Sequence, residues 1–510
     1  LFSFVETTGT NPTIIIEPNV RPCAHSIQSA WQHRCPIVST VHLSIFRDIS
    51  CYLTRRRQRS KRLRTLDRTG NEIQSPISKH VMLSHVETSL RTGNMMCSTF
   101  QRFIVIIFLV SNVRCLNNGL AKTPPMGWNT WTRFLCSVDT HQGLDNTISE
   151  KLLMEMAQRM YYDGYVTAGY NYIIIDDCWS SIVRDNVTKR LVPDKVRFPG
   201  GMANLAKFVN QYGIKLGIYA DVGKSTCGGY PGSLGYYDLD AKTFADWGVD
   251  YVKVDGCNIN PRLMDKVYPL FGKALANSGR NMVYSCEWPF YQESVGIIPN
   301  YTYISETCNL WRNYGDMRYG WDATLGIIHY MGVLQDILIS VSGPGGWTDP
   351  DVLTVGTFGM TKKQYEAQMG FWAVLAAPLI MSADLRNISK EDKAILQNKH
   401  VIAVNQDPLG IMGRRLFYEP SGIEIWHRWV LPMSQSGEKS AAILIYSGRG
   451  VGGIVTATFP LSHLGMNNTN GYLITDLFEN NRVIERTLPN DPISVAVEPL
   501  SARMLKATAL

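Results

Sequence analysis

The sequence predicts an α/β fold: a (β/α)8 TIM barrel followed by a C-terminal antiparallel β-sandwich domain. Three observations carry this. Short apolar runs alternate with helix-periodic stretches from Met126 onward. Eight such runs precede Pro408-Leu409-Gly410. Beyond that point the pattern becomes strands separated by turn residues. Alternation of strand and helix signals a parallel sheet wrapped by helices.

The eight runs are Met126–Trp131, Tyr170–Asp177, Lys215–Asp221, Tyr251–Gly256, Met282–Trp288, Tyr303–Asn309, Ile339–Gly343 and Ala376–Leu385. Between them, stretches such as Ser149–Gly164 repeat apolar residues at helical spacing. A doubly wound open sheet is the competing architecture, but no Gly-x-Gly-x-x-Gly turn follows the first run. The later strands are read at Ile423–Trp429, Ala441–Tyr446, Ile454–Phe459, Tyr472–Asp476 and Ile493–Val497. The expected division is a barrel over 116–411 and a β domain over 412–510.

Ahead of the barrel the chain changes character. Of its 510 residues, the first 115 carry +9 and the rest −2, within a total of +7. The basic balance therefore belongs to the leader, and the body offers no electrostatic reason to expect nucleic acid. Residues 55–64 (RRRQRSKRLR) could be a nuclear or nucleic-acid patch, but no apolar periodicity surrounds them. Residues 1–94 are read as a disordered upstream or non-native extension.

Residues 95–115 are read as a signal peptide. Arg102 precedes the apolar run Phe103–Val110, and Val113 and Cys115 flank Arg114 before a cut after Cys115. A buried strand is the alternative. The run is far short of the roughly 20 residues a membrane span needs, and no transmembrane segment is expected.

Six of the 11 cysteines lie in the body: Cys136, Cys178, Cys227, Cys257, Cys286 and Cys308. An even number without Cys-x-x-Cys spacing favours disulfides over zinc. Sequons at Asn186, Asn300, Asn387 and Asn467 agree with a secretory route, lysosomal or secreted. No metal-ligand motif appears, and no cofactor is expected.

The chemistry gathers where the runs end. They close on Asp176-Asp177-Cys178-Trp179, on Tyr219-Ala220-Asp221, on Lys253-Val254-Asp255-Gly256-Cys257 and on Cys286-Glu287-Trp288. In a TIM barrel these ends form one face, and catalysis sits there. Carboxylates bind sugar hydroxyls, while Trp and Tyr rings pack on apolar sugar faces. Lys253 and Asp255, two apart in a strand, point to the same side, where the cation favours an ionised carboxylate. Alone, such a pair reads more readily as a structural ion pair. Asp176-Asp177 could grip adjacent hydroxyls or form a solvated turn.

Taken in order, MGWNTW, DDCW, KLGIYADVG, YVKVDGC, YSCEWP, CNLWRN, GPGGWTDPD and AAPLIMSADLR resemble glycoside hydrolase family 27, the α-galactosidases and α-N-acetylgalactosaminidases. The likeness is dense from about Leu116 to Arg414. It implies a barrel followed by an antiparallel β domain, and a retaining mechanism acting on a galactoside. It assigns Asp255 as nucleophile and Asp316 as acid/base. Spacing alone does not choose Asp316 over Asp349 or Asp351. It also implies sugar-binding roles for Trp131, Asp176, Asp177, Tyr219, Cys227, Lys253, Cys257, Glu287, Phe290, Tyr291 and Arg312. By the same likeness the disulfides are Cys136–Cys178, Cys227–Cys257 and Cys286–Cys308, and the assembly is a homodimer.

The choice of sugar rests on Glu287 and Phe290. The galactosidases of the family resemble this pair, whereas the N-acetylgalactosaminidases carry Ser and Ala there. Galactose is therefore expected; the alternatives are an α-N-acetylgalactosaminidase or a catalytically silent galactose-binding protein. Two departures stand out. Thr140 and Thr147 occupy the positions of a further disulfide, which predicts a looser loop, and Thr348 replaces an Asn.

Overall fold

The computed structural model describes Phe2–Ser3, Thr13–Ile15, Glu17–Pro18 and residues 115–510 except 142, 420 and 421. The basic stretch 55–64, the run Phe103–Val110 and all of the expected signal peptide except Cys115 lie outside these residues. Within the expected extension, Phe2–Ser3 pairs with Glu17–Pro18.

Eight parallel strands form the first sheet: β1 (Met126–Asn129), β2 (Tyr172–Ile175), β3 (Lys215–Asp221), β4 (Tyr251–Asp255), β5 (Val283–Cys286), β6 (Leu310–Arg312), β7 (Trp347–Asp349) and β8 (Leu379–Met381). Their order is β7-β6-β5-β4-β3-β2-β1-β8. The seam between β7 and β8 carries a parallel bridge from Leu353 to Met381. Helices cover the outside: α1 (Glu150–Tyr162), α2 (Met202–Asn210), α3 (Tyr237–Trp247), α4 (Met264–Asn277), α5 (Trp288–Ser294), α6 (Tyr301–Thr307), α7 (Trp321–Val341), α8 (Lys362–Leu375), α9 (Lys390–Leu396) and α10 (Lys399–Asn405). Strands buried on both faces read as continuous apolar runs, which is why Tyr172–Ile175 (YIII) lacks alternation.

Two expected strands are helical. Tyr303–Asn309 falls mostly in α6, where the Asn300 side chain caps the helix by accepting from Tyr303 N–H (3.1 Å). The strand begins only at Leu310. Ile339–Gly343 is largely the tail of α7, a 21-residue helix, and the strand is Trp347–Asp349. A short apolar run does not distinguish a buried strand from a helix end. By length and composition α7 could cross a membrane. Here it is a barrel helix that buries Trp321, Ile327, Ile328, Met331 and Leu338.

The C-terminal part holds β9 (Arg414–Tyr418), β10 (Ile423–Met433), β11 (Lys439–Ser447), β12 (Val455–Pro460), β13 (Tyr472–Asp476), β14 (Arg482–Thr487), β15 (Pro492–Val497) and β16 (Ser501–Ala509). One sheet runs β9-β10-β11-β16-β13-β14; a smaller one joins β15, β12 and Thr13–Ile15. Strand alternation gives the larger sheet two apolar faces. Ile425, Ile443, Ile445 and Leu505 meet β12 and β15 in a sandwich core. Trp426, Leu444, Tyr446 and Met504 belong instead to the barrel's own core. Gly370 on α8 permits this approach, because a Cβ there would lie 2.7 Å from Leu444.

Candidate active site

The C-terminal ends of β2 to β7 converge on one group of buried side chains. β4 delivers Lys253 and Asp255, two residues apart on one face. Lys253 Nζ donates to Asp176 Oδ2 (2.8 Å) and pairs with Glu287 Oε1 (3.4 Å). It also lies over the rings of Trp131 (5.9 Å) and Tyr219 (5.5 Å). Asn129 donates to the same oxygen of Asp176 (2.9 Å) and accepts from Trp131 N–H (2.6 Å), which sets the indole beside the lysine.

Arg312, at the end of β6, is the second cation. Its Nη1 donates to Glu287 (3.2 Å) and its Nη2 to Asp316 (3.0 Å), with Asp351 at 3.3 Å. A planar fork serving three carboxylates is a role Lys could not fill.

Asp255 is buried among donors. Tyr219 Oη donates to its Oδ2 (2.8 Å); Tyr291 Oη (2.5 Å) and Gly256 N–H (2.8 Å) donate to its Oδ1. Cys227 Sγ touches Oδ2 at 3.2 Å. Asp221, alongside Asp255 in the β3–β4 register, accepts from Gly223 N–H (2.5 Å) and Cys257 N–H (2.9 Å). Asp177 accepts from Gly228 N–H (2.7 Å) and Cys178 N–H (2.6 Å).

Disulfides join Cys136 to Cys178, Cys227 to Cys257 and Cys286 to Cys308. The second abuts Asp255, and Tyr291 Oη lies 3.1 Å from Cys257 Sγ. The oxygens of Asp221 and Asp255 and the sulfurs of Cys227 and Cys257 all lie within 4.8 Å of one another. Because the sulfurs are bonded to each other, they offer no thiolate to a metal. Cys178 and Asp351 hold left-handed φ values of 69° and 75°. Each is strain of order 1 kcal/mol kept at the site.

Around Lys253 and Arg312 stand Asp176, Asp177, Asp221, Asp255, Glu287, Asp316, Asp349 and Asp351. Burial and the Asp255 charge push Asp221 up to about 9. Burial, restrained by Arg312 and reinforced by Asp255, pushes Glu287 up to about 8. Burial also raises Asp349 to about 6. Asp316 goes the other way. Its partial burial raises it, but Arg312 and Lys253 outweigh that and hold it below the usual carboxylate value. This is opposite to the shift a resting general acid needs.

The structure brings every sequence-predicted site residue near this cluster. Phe290 packs against Tyr291, with ring centroids 5.2 Å apart, and its ring borders Gly315. Sequence reasoning gave no role to Asn129, counted Asp221 among the strand-end carboxylates without assigning it one, and weighed Asp349 and Asp351 only as alternatives to Asp316. The available signal for the last two was their place in GPGGWTDPD.

A barrel whose strand ends gather carboxyls, two cations and aromatic rings in one pocket is built to hold a polyhydroxylated ring, and defines a glycosidase. The chain belongs to glycoside hydrolase family 27: residues 123–407 match the family model described as alpha galactosidase A. It is 45% identical over 385 residues to chicken alpha-N-acetylgalactosaminidase, covering 75% of this chain and 93% of that protein. It is 47% identical over 369 residues to human alpha-galactosidase A, covering 70% and 85%. Among solved structures it resembles alpha-galactosidase I from Mortierella vinacea, with a TM-score of 0.66 and 28% identity over 77% of this chain and 99% of that one.

Proposed function

We propose that this chain is a retaining exo-α-galactosidase that removes terminal α-D-galactosyl residues. Relatives of both specificities are about equally similar, so the reading rests on local geometry. Glu287 is buried, held by Arg312 and Lys253, and followed by the Phe290 ring. Glu287 can bond a 2-hydroxyl, and Phe290 fills the space an N-acetyl group would need.

Asp255 attacks the anomeric carbon while Asp316 protonates the leaving oxygen. The bond from C1 to Asp255 forms as the bond to the aglycone breaks. Asp316 then takes a proton from water, which attacks C1 and releases Asp255. Arg312 favours the carboxylate form of Asp316, the form the second step uses. Its side chain is 47% exposed. An aglycone that shuts out this water restores the proton for the first step. Asp176, Asp177, Trp131, Lys253 and Arg312 hold the hydroxyls and faces of the ring, with Cys227, Cys257, Tyr219 and Tyr291 at its rim.

Three disulfides and four exposed sequon asparagines support a secretory route, lysosomal or secreted. The homodimer rests on the family resemblance. The deciding assay compares an aryl α-galactoside with an aryl α-N-acetylgalactosaminide. Turnover of the first is expected. Turnover of neither overturns the enzyme reading, and preference for the second overturns the choice of sugar.

A further inference from the structure

A general acid works only where the leaving oxygen will be, and a displacement of about 1 Å costs on the order of a hundredfold in rate. Asp316 has little of its own to hold it there. It stands within residues 313–320, between β6 and α7 and outside any helix or strand, and its side chain is half-exposed. Arg312 Nη2 donates to its Oδ1 (3.0 Å), but the same nitrogen also donates to Tyr314 O (3.2 Å). The residue after it is better anchored. Met317 is buried, and its N–H donates to Asp351 Oδ2 (2.6 Å). Asp351 in turn is engaged at every polar atom. Its Oδ2 also lies 3.3 Å from Arg312 Nη2, and its Oδ1 accepts from Val352 N–H (2.8 Å). Its main-chain N–H donates to Asp349 Oδ1 (2.8 Å), and its main-chain oxygen accepts from Trp372 Nε1 on α8 (2.9 Å). These bonds keep it at the left-handed φ of 75°, which a residue other than glycine adopts at some cost.

We propose that Asp351 is a positioning residue for the general acid, fixing Asp316 through the Met317 N–H and the Arg312 guanidinium. This rests on the galactosidase reading and on Asp316 as its acid/base. The two contacts hold Asp316 from two directions: one grips the main chain directly after it, the other steadies the cation that holds its carboxyl. Burial works against the Arg312 charge, and of the carboxylates that sustain it Asp351 contributes most, ahead of Glu287 and Asp316. No bond to substrate forms or breaks at Asp351. The proton passes from Asp316 to the aglycone oxygen as Asp255 takes C1, and Asp351 governs the distance it crosses.

A residue that acts through the acid is distinguished by the leaving group. An alkyl alcohol is a poor leaving group unless it is protonated, so its departure depends on Asp316. A dinitrophenolate is stable as the anion and departs without a proton. Displacing Asp316 therefore slows cleavage of an alkyl galactoside far more than that of a dinitrophenyl galactoside. Loss of a sugar contact, or of folded enzyme, slows both in proportion, because the galactosyl ring is the same in each.

The test is kcat/KM of wild type, Asp351→Asn and Asp316→Ala on methyl and on dinitrophenyl α-galactoside. Asn keeps the size of Asp351 and tolerates its φ, but it brings no charge to Arg312 and cannot accept at both side-chain positions. General-acid catalysis contributes about a hundredfold or more, so the ratio of dinitrophenyl to methyl activity should rise at least about tenfold in Asp351→Asn, and further in Asp316→Ala. If Asp351→Asn folds poorly, Asp351→Gly takes the same φ without strain and should show the same rise, which does not depend on the amount of folded enzyme. An unchanged ratio in the Asp351 variants, with the rise present in Asp316→Ala, overturns the positioning role alone. An unchanged ratio in Asp316→Ala overturns the acid/base assignment and the positioning role with it. Absence of wild-type turnover overturns the galactosidase reading and both that depend on it.

Discussion

Asp316 receives opposing influences. Burial favours its proton, whereas Arg312 and Lys253 favour its charge and prevail. General-acid catalysis uses the protonated form, so kcat/KM falls as pH rises through this lowered value. The profile should therefore lean acid, with activity increasing from neutrality downward. A plateau reaching above about pH 7 would show that Arg312 does not govern the acid in the working enzyme. Asp255→Asn should retain galactose binding, by isothermal titration, yet lose roughly a thousandfold or more in turnover. Near-normal turnover would put the nucleophile elsewhere. Sugar choice is tested separately. Glu287→Ser with Phe290→Ala opens the space beside the 2-position and leaves both catalytic carboxyls in place. The ratio of N-acetylgalactosaminide to galactoside turnover should rise at least about tenfold; an unchanged ratio would place the filter in another loop.

At the scale of elements, what the sequence discloses depends on burial. β1 to β5 and β8 are legible because each is an apolar run ending in a polar residue. β6 and β7 are three-residue strands lying directly after apolar helices, so the apolar signal belonged to the neighbour. That shift also left Asp349 and Asp351 as no more than alternatives to Asp316, because they follow no apolar run of their own. β14 (RVIERT) is exposed at five of six positions and never alternates. The loop with Thr140 and Thr147 is closed by different means from a disulfide. Thr147 is buried, and its hydroxyl lies 2.8 Å from Asp139 O and 3.1 Å from Gly143 O. The expected looseness is thereby offset. Thr147→Val keeps the shape and removes the donor, and should cost about 1 kcal/mol, read from the urea midpoint. An unchanged midpoint would mean that the hydroxyl contributes nothing.

For the molecule as a whole, barrel and β domain are not independent. One face of the large sheet is part of the barrel core. Trp321 donates to Tyr446 Oη (2.9 Å), and buried Arg428 donates to the C-terminal carbonyls of α8 and α10, Ala373 O (2.6 Å) and Asn405 O (3.2 Å). A positive group there complements two helix ends at once. Removing residues after 413 would strip α8 of its cover, take the Arg428 donor from Asn405 O and leave Ala373 O with only the Ala376 N–H (3.3 Å). The truncated barrel should be insoluble or molten, and the described chain should melt in a single calorimetric transition. A soluble barrel with its own sharp transition would overturn this.

The disulfides also have an order. Cys136–Cys178, Cys227–Cys257 and Cys286–Cys308 follow one another along the chain without overlap. Six cysteines permit 15 pairings. The native one is the pairing a chain makes if it is threaded into an oxidising lumen and each thiol takes the next to arrive. Vectorial synthesis would thus guide the covalent topology, with little need for reshuffling by an isomerase. Refolding of the complete reduced chain loses that timing and exposes every thiol to every other.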